Sequence, residues 1–281
     1  MKRVLCSKIL CLFKYTVYQF ISYLGRSIHN AMPKNLLYGL IGYPLSHSFS
    51  QQYFTRKWAA ASIQHCEYRL FPLNDVAQLP LLLQQNPDIA GLNVTIPYKQ
   101  SVMPYLQNIS PEAAAIGAVN CVVVNGQNLT GYNTDAWGFE QSLLPLLKPY
   151  HCHAFVLGAG GAAKAVQYVL QKLGLTYNIV SRKPTEQGQI SYADLFTQPL
   201  PQSGIFINTT PLGMYPHPDT CPDIPYHALN EQYICYDLVY NPSPTLFLQR
   251  AAKQGAICKD GIEMLHLQAD CAWEIWQQPT I

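Results

Sequence analysis

From residue 36 onward, short apolar runs alternate with amphipathic stretches, the pattern of an α/β protein. Tyr38-Gly-Leu-Ile-Gly42 fits a first buried strand, a helix is expected from about Gln51 to Ala61, and Cys66-Glu-Tyr-Arg-Leu-Phe71 reads as the next strand. A helix over Val76 to Gln84 follows. In the third strand Leu92, Val94 and Ile96 alternate with Asn93 and Thr95, and Pro97 removes the next ladder donor and ends it. This β-α-β-α-β order predicts a parallel sheet.

Residues 111–117 read as a helix, and Ala118 to Val124, Asn125-Gly126 and Leu129 to Asn133 as a hairpin with an Asn-Gly turn. Asp135 is expected to begin a helix that runs through Trp137, Phe139 and Leu143 toward Leu147. A second unit then opens with the strand Ala154 to Leu157, a glycine-rich turn, and a helix from Ala165 to Leu173 stopped by Gly174. Further strands are Tyr177 to Val180, Gly204 to Asn208, Tyr233 to Val239 and Ala256 to Cys258, with a helix from Pro244 to Gln254. Gly261 begins a final helix, whose apolar side is Met264, Leu265, Leu267, Ala272, Ile275 and Trp276.

Composition narrows the picture. The chain has 281 residues, 49% of them apolar and 12% charged, which suits one large or two ordinary globular domains. Its formal charge of +2 hides an asymmetry, because the first acidic residue is Glu67. Beyond it the chain is mildly acidic, which argues against a nucleic-acid surface. Residues 1–31 carry five basic and no acidic side chains. Lys8 and Lys14 break this stretch too often for a membrane-spanning helix, and no small-x-small cleavage site follows an unbroken apolar core. Met32 is therefore expected to be the working start, with residues 1–35 outside the fold; a surface arm is the alternative. Nine cysteines at irregular spacing, without a Cys-x-x-Cys pair, point to reduced thiols and a cytoplasmic setting. His151-Cys152-His153 has no second ligand cluster, so no metal site is expected.

Five stretches carry candidate chemistry. Lys99 is placed just past the end of the third strand, at the edge where open α/β sheets bind ligands; it is an acid or base there, or a solvated lysine opening a helix. Ser48 and Ser50 sit at a helix amino end, where hydroxyls and free backbone donors hold a carboxylate, although one serine is enough for a cap. Asp135 is a dipole partner at its helix start or a catalytic carboxylate. Gly158-Ala159-Gly160-Gly161-Ala162-Ala163 matches G-x-G-x-x-A between a strand and a helix, the dinucleotide fingerprint. After the next strand come Ser181-Arg182-Lys183, with no acidic residue between Glu140 and Glu186. Two cations where a 2′-phosphate would lie favour NADP over NAD, and a solvated basic turn is the alternative.

Taken in order, Gly-Tyr-Pro-Leu-Ser-His-Ser-Phe-Ser, Asn-Val-Thr-Ile-Pro-Tyr-Lys, Gly-Ala-Val-Asn, Tyr-Asn-Thr-Asp, Gly-Ala-Gly-Gly-Ala-Ala, Asn-Thr-Thr-Pro-Leu-Gly-Met and Asp-Gly-Ile-Glu-Met-Leu closely resemble the shikimate dehydrogenase family over residues 36–276. The resemblance implies two α/β domains with the active site between them: residues 36–134 plus 261–281 for substrate, with a mostly parallel sheet, and residues 135–260 as a Rossmann-type NADP domain. It implies reversible NADP-dependent interconversion of shikimate and 3-dehydroshikimate, on the route to chorismate and the aromatic amino acids, by a monomer or homodimer. Lys99 and Asp135 become the catalytic pair. Ser48 and Ser50 hold the substrate carboxylate, and Thr95, Asn120, Tyr240 and Gln268 bind the ring hydroxyls or the carboxylate. The Gly158–Ala162 turn, Ser181, Arg182, Lys183 and Thr209 contact the coenzyme, and Gly261 and Met264 border its nicotinamide. Glu263 stands where many members have glycine, and Lys183 where threonine is common.

Alternatives are a quinate/shikimate dehydrogenase using NAD, a regulator that binds the metabolite without turning it over, and another Rossmann enzyme with a catalytic lysine. The Arg182-Lys183 pair and the two serines argue against the first. The presence of both Lys99 and Asp135 argues against the second, and the serine loop against the third.

Overall fold

A computed structural model describes residues 35–45, 49–185 and 188–278. Two six-stranded sheets account for most of it. The first holds β1 (Leu36–Gly42), β2 (Cys66–Pro72), β3 (Ile89–Val94), β4 (Asn108–Ile109), β5 (Cys121–Asn125) and β6 (Asn128–Tyr132), in the order β2-β1-β3-β5-β6-β4. β1 pairs parallel with both β2 and β3, with α1 (Phe49–Ala60) and α2 (Leu79–Gln85) in the crossovers. The expected parallel arrangement therefore holds for the first three strands. β5 then runs antiparallel to β3 and to β6.

Two boundaries in the first sheet differ from the sequence reading in ways that bear on the site. β3 stops at Val94, and Ile96 points outward at 71% exposure, although the Thr95 N–H still donates to the Ile41 carbonyl at 3.0 Å. The β5–β6 register pairs Asn125 with Asn128, so the turn residues are Gly126 and Gln127, one position later than expected. Gly126 has φ +61°, which suits the first central position of a tight hairpin turn.

The second sheet holds β7 (His153–Leu157), β8 (Thr176–Ser181), β9 (Gln189–Ser191), β10 (Gly204–Asn208), β11 (Tyr233–Asp237) and β12 (Ile257–Lys259), all parallel, in the order β12-β11-β10-β7-β8-β9. Chain order reverses between β7 and β10, and a doubly wound sheet opens its ligand crevice at that point. Strict alternation shows why the strands are apolar throughout. Ala154, Val156, Ile205, Ile207, Ile234 and Tyr236 enter one core, and Phe155, Leu157, Phe206, Tyr233 and Cys235 enter the other. The first sheet is likewise covered on both faces, by Leu37, Ile41, Leu92 and Val94 on one side and Tyr38, Leu40, Phe54 and Trp58 on the other.

Two helices join these cores. α3 (Pro111–Ile116) ends on Gly117 in the left-handed region at φ +70°, and α4 (Thr134–Leu143) follows β6. α5 (Gly161–Lys172) follows β7, the single turn α6 (Asp194–Thr197) follows β9, and α7 (Leu246–Ala252) lies between β11 and β12. α8 (Ile262–Trp276) starts with Met264 in the core of the second sheet and ends with Ala269, Ala272 and Trp276 in the core of the first. Its Trp276 indole donates to the Val122 carbonyl at 3.0 Å. α8 packs along α4 so closely that a Cβ on Gly138 would stand 2.6 Å from the Met264 carbonyl. Among the described residues no helix is long and apolar enough to cross a membrane.

Candidate active site

The loop after β3 is pinned on three sides. Tyr98 N–H donates to the Thr95 carbonyl at 2.9 Å, the buried Tyr98 hydroxyl to the Leu73 carbonyl at 2.6 Å, and Val119 N–H to the Lys99 carbonyl at 2.7 Å. This backbone aims Lys99 at α4. Asn133 caps that helix, its Oδ1 accepting from Ala136 N–H at 3.1 Å, and Asp135 occupies the first turn. The cap is thus Asn133, which leaves the Asp135 carboxylate free to accept from Lys99 Nζ at 2.7 Å. The two side chains are 18% and 12% exposed, so the pair is largely withdrawn from water and Lys99 is not a solvated helix-opening residue.

Beside this pair lies a buried group of amides and a hydroxyl. Asn120 Oδ1 accepts from Thr134 N–H at 2.7 Å, and Asn120 Nδ2 donates to Thr134 Oγ1 at 3.0 Å. Gln268 on α8 reaches the same point: its Oε1 stands 3.5 Å from Asn120 Nδ2 and 3.4 Å from Thr134 Oγ1, and its Nε2 donates to the Leu265 carbonyl at 2.9 Å. Gln268 is buried, so it is not a solvated helix position. Contacts near 3.5 Å are at the limit of a hydrogen bond, and a polar ligand group can replace them at little cost. One layer below, the buried Tyr68 hydroxyl donates to Asn93 Oδ1 at 2.8 Å, and Asn93 Nδ2 stands 3.4 Å from the Asn120 carbonyl.

Ser48 lies outside the described residues. Ser50 is half-buried in the first turn of α1, and Phe49 beside it meets the half-buried Tyr240 ring edge-on with centroids 6.1 Å apart. Burial pushes the Tyr240 hydroxyl up from its ordinary range. Thr95 is half-buried, and its methyl faces Gly42 so closely that no Cβ would fit there.

The glycine-rich turn stands at the switch point of the second sheet. Gly158 has φ +106°, and a Cβ on it would lie 2.9 Å from Thr209 Oγ1, so the turn and the loop after β10 touch. Thr209 is held by donating both N–H and Oγ1 to the Leu157 carbonyl, at 3.0 and 2.8 Å. α5 begins at Gly161, four residues earlier than expected, and its cap Gly160 supplies no side chain. The α5 amino end is therefore bare backbone, and a Cβ on Gly160 would meet nothing within 4 Å, which fits a pyrophosphate. At the end of β8 Arg182 and Lys183 are exposed, and the Lys183 N–H bonds Ser181 Oγ at 3.3 Å. Gly261 is pressed onto the Leu238 carbonyl with no room for a Cβ, which sets Met264 one turn into α8.

The family model described as the shikimate dehydrogenase substrate binding domain matches residues 40–122. A shikimate dehydrogenase (NADP(+)) of a Nostoc species is 37% identical over 269 residues, covering 87% of this chain and 92% of its own. The chain belongs to the shikimate dehydrogenase family. Among solved structures, shikimate dehydrogenase 1 of Peptoclostridium difficile is 35% identical with a TM-score of 0.76, covering 88% of this chain and 93% of its own. Shikimate 5-dehydrogenase of Thermus thermophilus in complex with NADP(H) and shikimate is 30% identical with a TM-score of 0.74, covering 86% of this chain and 93% of its own.

In this shikimate dehydrogenase family member the fold brings Lys99, Asp135, Asn120 and Gln268 into one polar group, although up to 148 residues separate Asn120 from Gln268. Arg182 and Lys183 stand apart from that group, at the end of β8. Sequence reasoning missed Thr134, Asn93 and Tyr68. Thr134 was signalled by its place between the cap Asn133 and Asp135, where an outward hydroxyl is not needed for helix formation. Tyr68 carried no signal beyond being one aromatic in an apolar run. Among the described residues no group of three or more His, Cys, Asp or Glu side chains could hold a metal ion. His151 instead accepts from Lys148 N–H at 3.0 Å, and His153 bonds Thr176 Oγ1 at 2.8 Å.

Proposed function

We propose that this chain catalyses the reversible NADP-dependent reduction of 3-dehydroshikimate to shikimate, with residues 36–134 and 261–281 holding the substrate and residues 135–260 the dinucleotide. The observation that carries this reading is the largely buried Lys99–Asp135 pair at 2.7 Å, set against the Asn120–Thr134–Gln268 group.

When bound, NADPH supplies the hydride that the ring ketone carbon receives. Lys99 Nζ, the donor of the pair, stabilises the negative charge that grows on the ketone oxygen and passes a proton to it, so that hydride and proton together complete the alcohol. Asp135 accepts from Lys99, fixes the direction of its ammonium and offers its second oxygen to a neighbouring ring hydroxyl. In the reverse direction the same pair receives the hydroxyl proton, and the two groups act as a unit. Asn120 and Gln268 present both donors and acceptors, as the remaining ring hydroxyls require. Ser48 and Ser50 take the carboxylate at the amino end of α1, with Tyr240 and Thr95 closing the site. The Gly158–Ala162 turn receives the pyrophosphate. Ser181, Arg182 and Lys183 receive the 2′-phosphate, and Thr209, Gly261 and Met264 line the nicotinamide side.

Nicotinamide absorbance with shikimate and quinate, each offered NADP and NAD, tests this. Rapid reduction with shikimate and NADP alone is expected. Equal rates with quinate or NAD would move the assignment to a broader dehydrogenase, and inactivity with every pair would leave a metabolite-binding protein.

A further inference from the structure

A cluster that the hydride-transfer step does not use ties the serine-bearing helix to the Gln268 helix. Ser50, Tyr53 and Lys57 recur at three- and four-residue spacing and share one face of α1. On that face the Tyr53 hydroxyl donates to Asp270 Oδ1 at 2.5 Å, and the Lys57 ammonium pairs with the same oxygen. Asp270 follows Gln268 by two residues on α8. His266 precedes Gln268 by two, and its ring stacks on Phe49 with centroids 5.2 Å apart and on Tyr53 at 5.3 Å. Phe49 also meets Tyr240, so one aromatic ring touches the three elements that carry Ser50, Gln268 and Tyr240.

The energetics of this cluster suit alignment better than they suit stability. Lys57 and Asp270 are 31% and 38% exposed, and a pair so open to water adds little to the stability of the fold. Alignment is more demanding, because an O–H···O bond is lost when its partners move by roughly an ångström.

We propose that Tyr53, Lys57 and Asp270, together with the Phe49–His266 stack, are positioning residues that set the distance between Ser50 and Gln268. They thereby set the preference for a substrate with a carboxylate at one end and ring hydroxyls at the other. The inference rests on the proposed function, since it takes Ser50 as a carboxylate contact. None of these side chains enters the reaction; they act through the seating of α1 on α8.

The test is steady-state oxidation of shikimate and of its methyl ester with NADP by the full chain, as wild type, Tyr53→Phe, Asp270→Asn and the double variant. Each single variant is expected to raise KM for shikimate about tenfold, the weakening of roughly one charge-assisted hydrogen bond, with kcat within about twofold. KM for the ester should stay at its wild-type value. The double variant should fall short of the sum of the two single effects, because both changes weaken the same Tyr53–Asp270 contact. Equal KM increases for acid and ester, unchanged KM in both single variants, or a fall in kcat with KM intact would overturn the inference alone. A wild-type protein inactive on shikimate would overturn the proposed function and this inference with it.

Discussion

Asp237 offers a quantitative test of how the second sheet holds the site loops. It is fully buried at the end of β11, where Thr245 Oγ1 donates to it at 2.6 Å, Asn208 Nδ2 at 2.9 Å and Val239 N–H at 3.0 Å. Asn208 leads into the Thr209 loop and Val239 into Tyr240, so one carboxylate ties the loop after β10 to the loop after β11. Burial pushes its carboxyl up to about 6 from an ordinary 3.8; the three donors pull it down, and the charge of Asp260 adds a lesser upward push. Between those two values the unfolded chain has lost this proton and the folded chain has kept it. The folded form then binds more protons, so stability falls as pH rises from about 4 to about 6 and levels off above that. A shift of two units corresponds to roughly 3 kcal/mol. Asp237→Asn keeps the shape and one acceptor but cannot ionise. Urea unfolding of wild type and variant at several pH values should therefore show the wild-type stability, measured relative to the variant, declining by roughly 2–3 kcal/mol across that window. A flat difference would remove Asp237 as a titrating group. A difference that grows with pH would mean that its three donors outweigh its desolvation, and the reasoning would be wrong in sign.

Other perturbations address the remaining parts. Lys99→Ala should lower kcat by roughly three orders of magnitude, within the range of general acid–base contributions, with KM for shikimate changed far less; single-turnover rates check this. Gly138→Ala would drive a Cβ to 2.6 Å from the Met264 carbonyl and 3.1 Å from Gln268 N. It should cost about 1–3 kcal/mol by urea unfolding and raise KM as α8 shifts. Arg182→Ala should raise KM for NADP by about tenfold or more while leaving KM for NAD unchanged, since only the former carries the 2′-phosphate.

The two sheets differ in how far the sequence revealed them. Ala154 to Leu157, Gly204 to Asn208 and Tyr233 to Asp237 are apolar on both faces because cores cover both sides, so unbroken runs marked them. The short strands Asn108–Ile109 and Gln189–Ser191 carry no such pattern and went unseen, since two or three residues hold no period. Lys99 was legible because Pro97 marks the loop that follows the strand. The Asn133 cap was not separated from Asp135 because both residue types suit a helix start, and only the 2.7 Å contact to Lys99 assigns the carboxylate elsewhere. Long-range pairs were invisible for a plainer reason. Tyr53 and Asp270 are 217 residues apart, and nothing local in either helix names the other.

The return of α8 explains why chemistry and binding meet where they do. A lysine after β3 and a glycine-rich turn after β7 belong to different sheets, and each sheet closes its own core without the other. α8 contributes to both, with Met264 in one core and Ala269, Ala272 and Trp276 in the other, and Gly138 lets α4 approach it at backbone distance. Asp135 stands at the start of α4 and Gln268 midway along α8, so any change in their packing moves the proposed acid–base partner and the proposed substrate amide together. Gly138→Ala should therefore alter kcat and KM in one step. A surface substitution of equal stability cost should alter neither, and that contrast separates a hinge from a merely weakened fold.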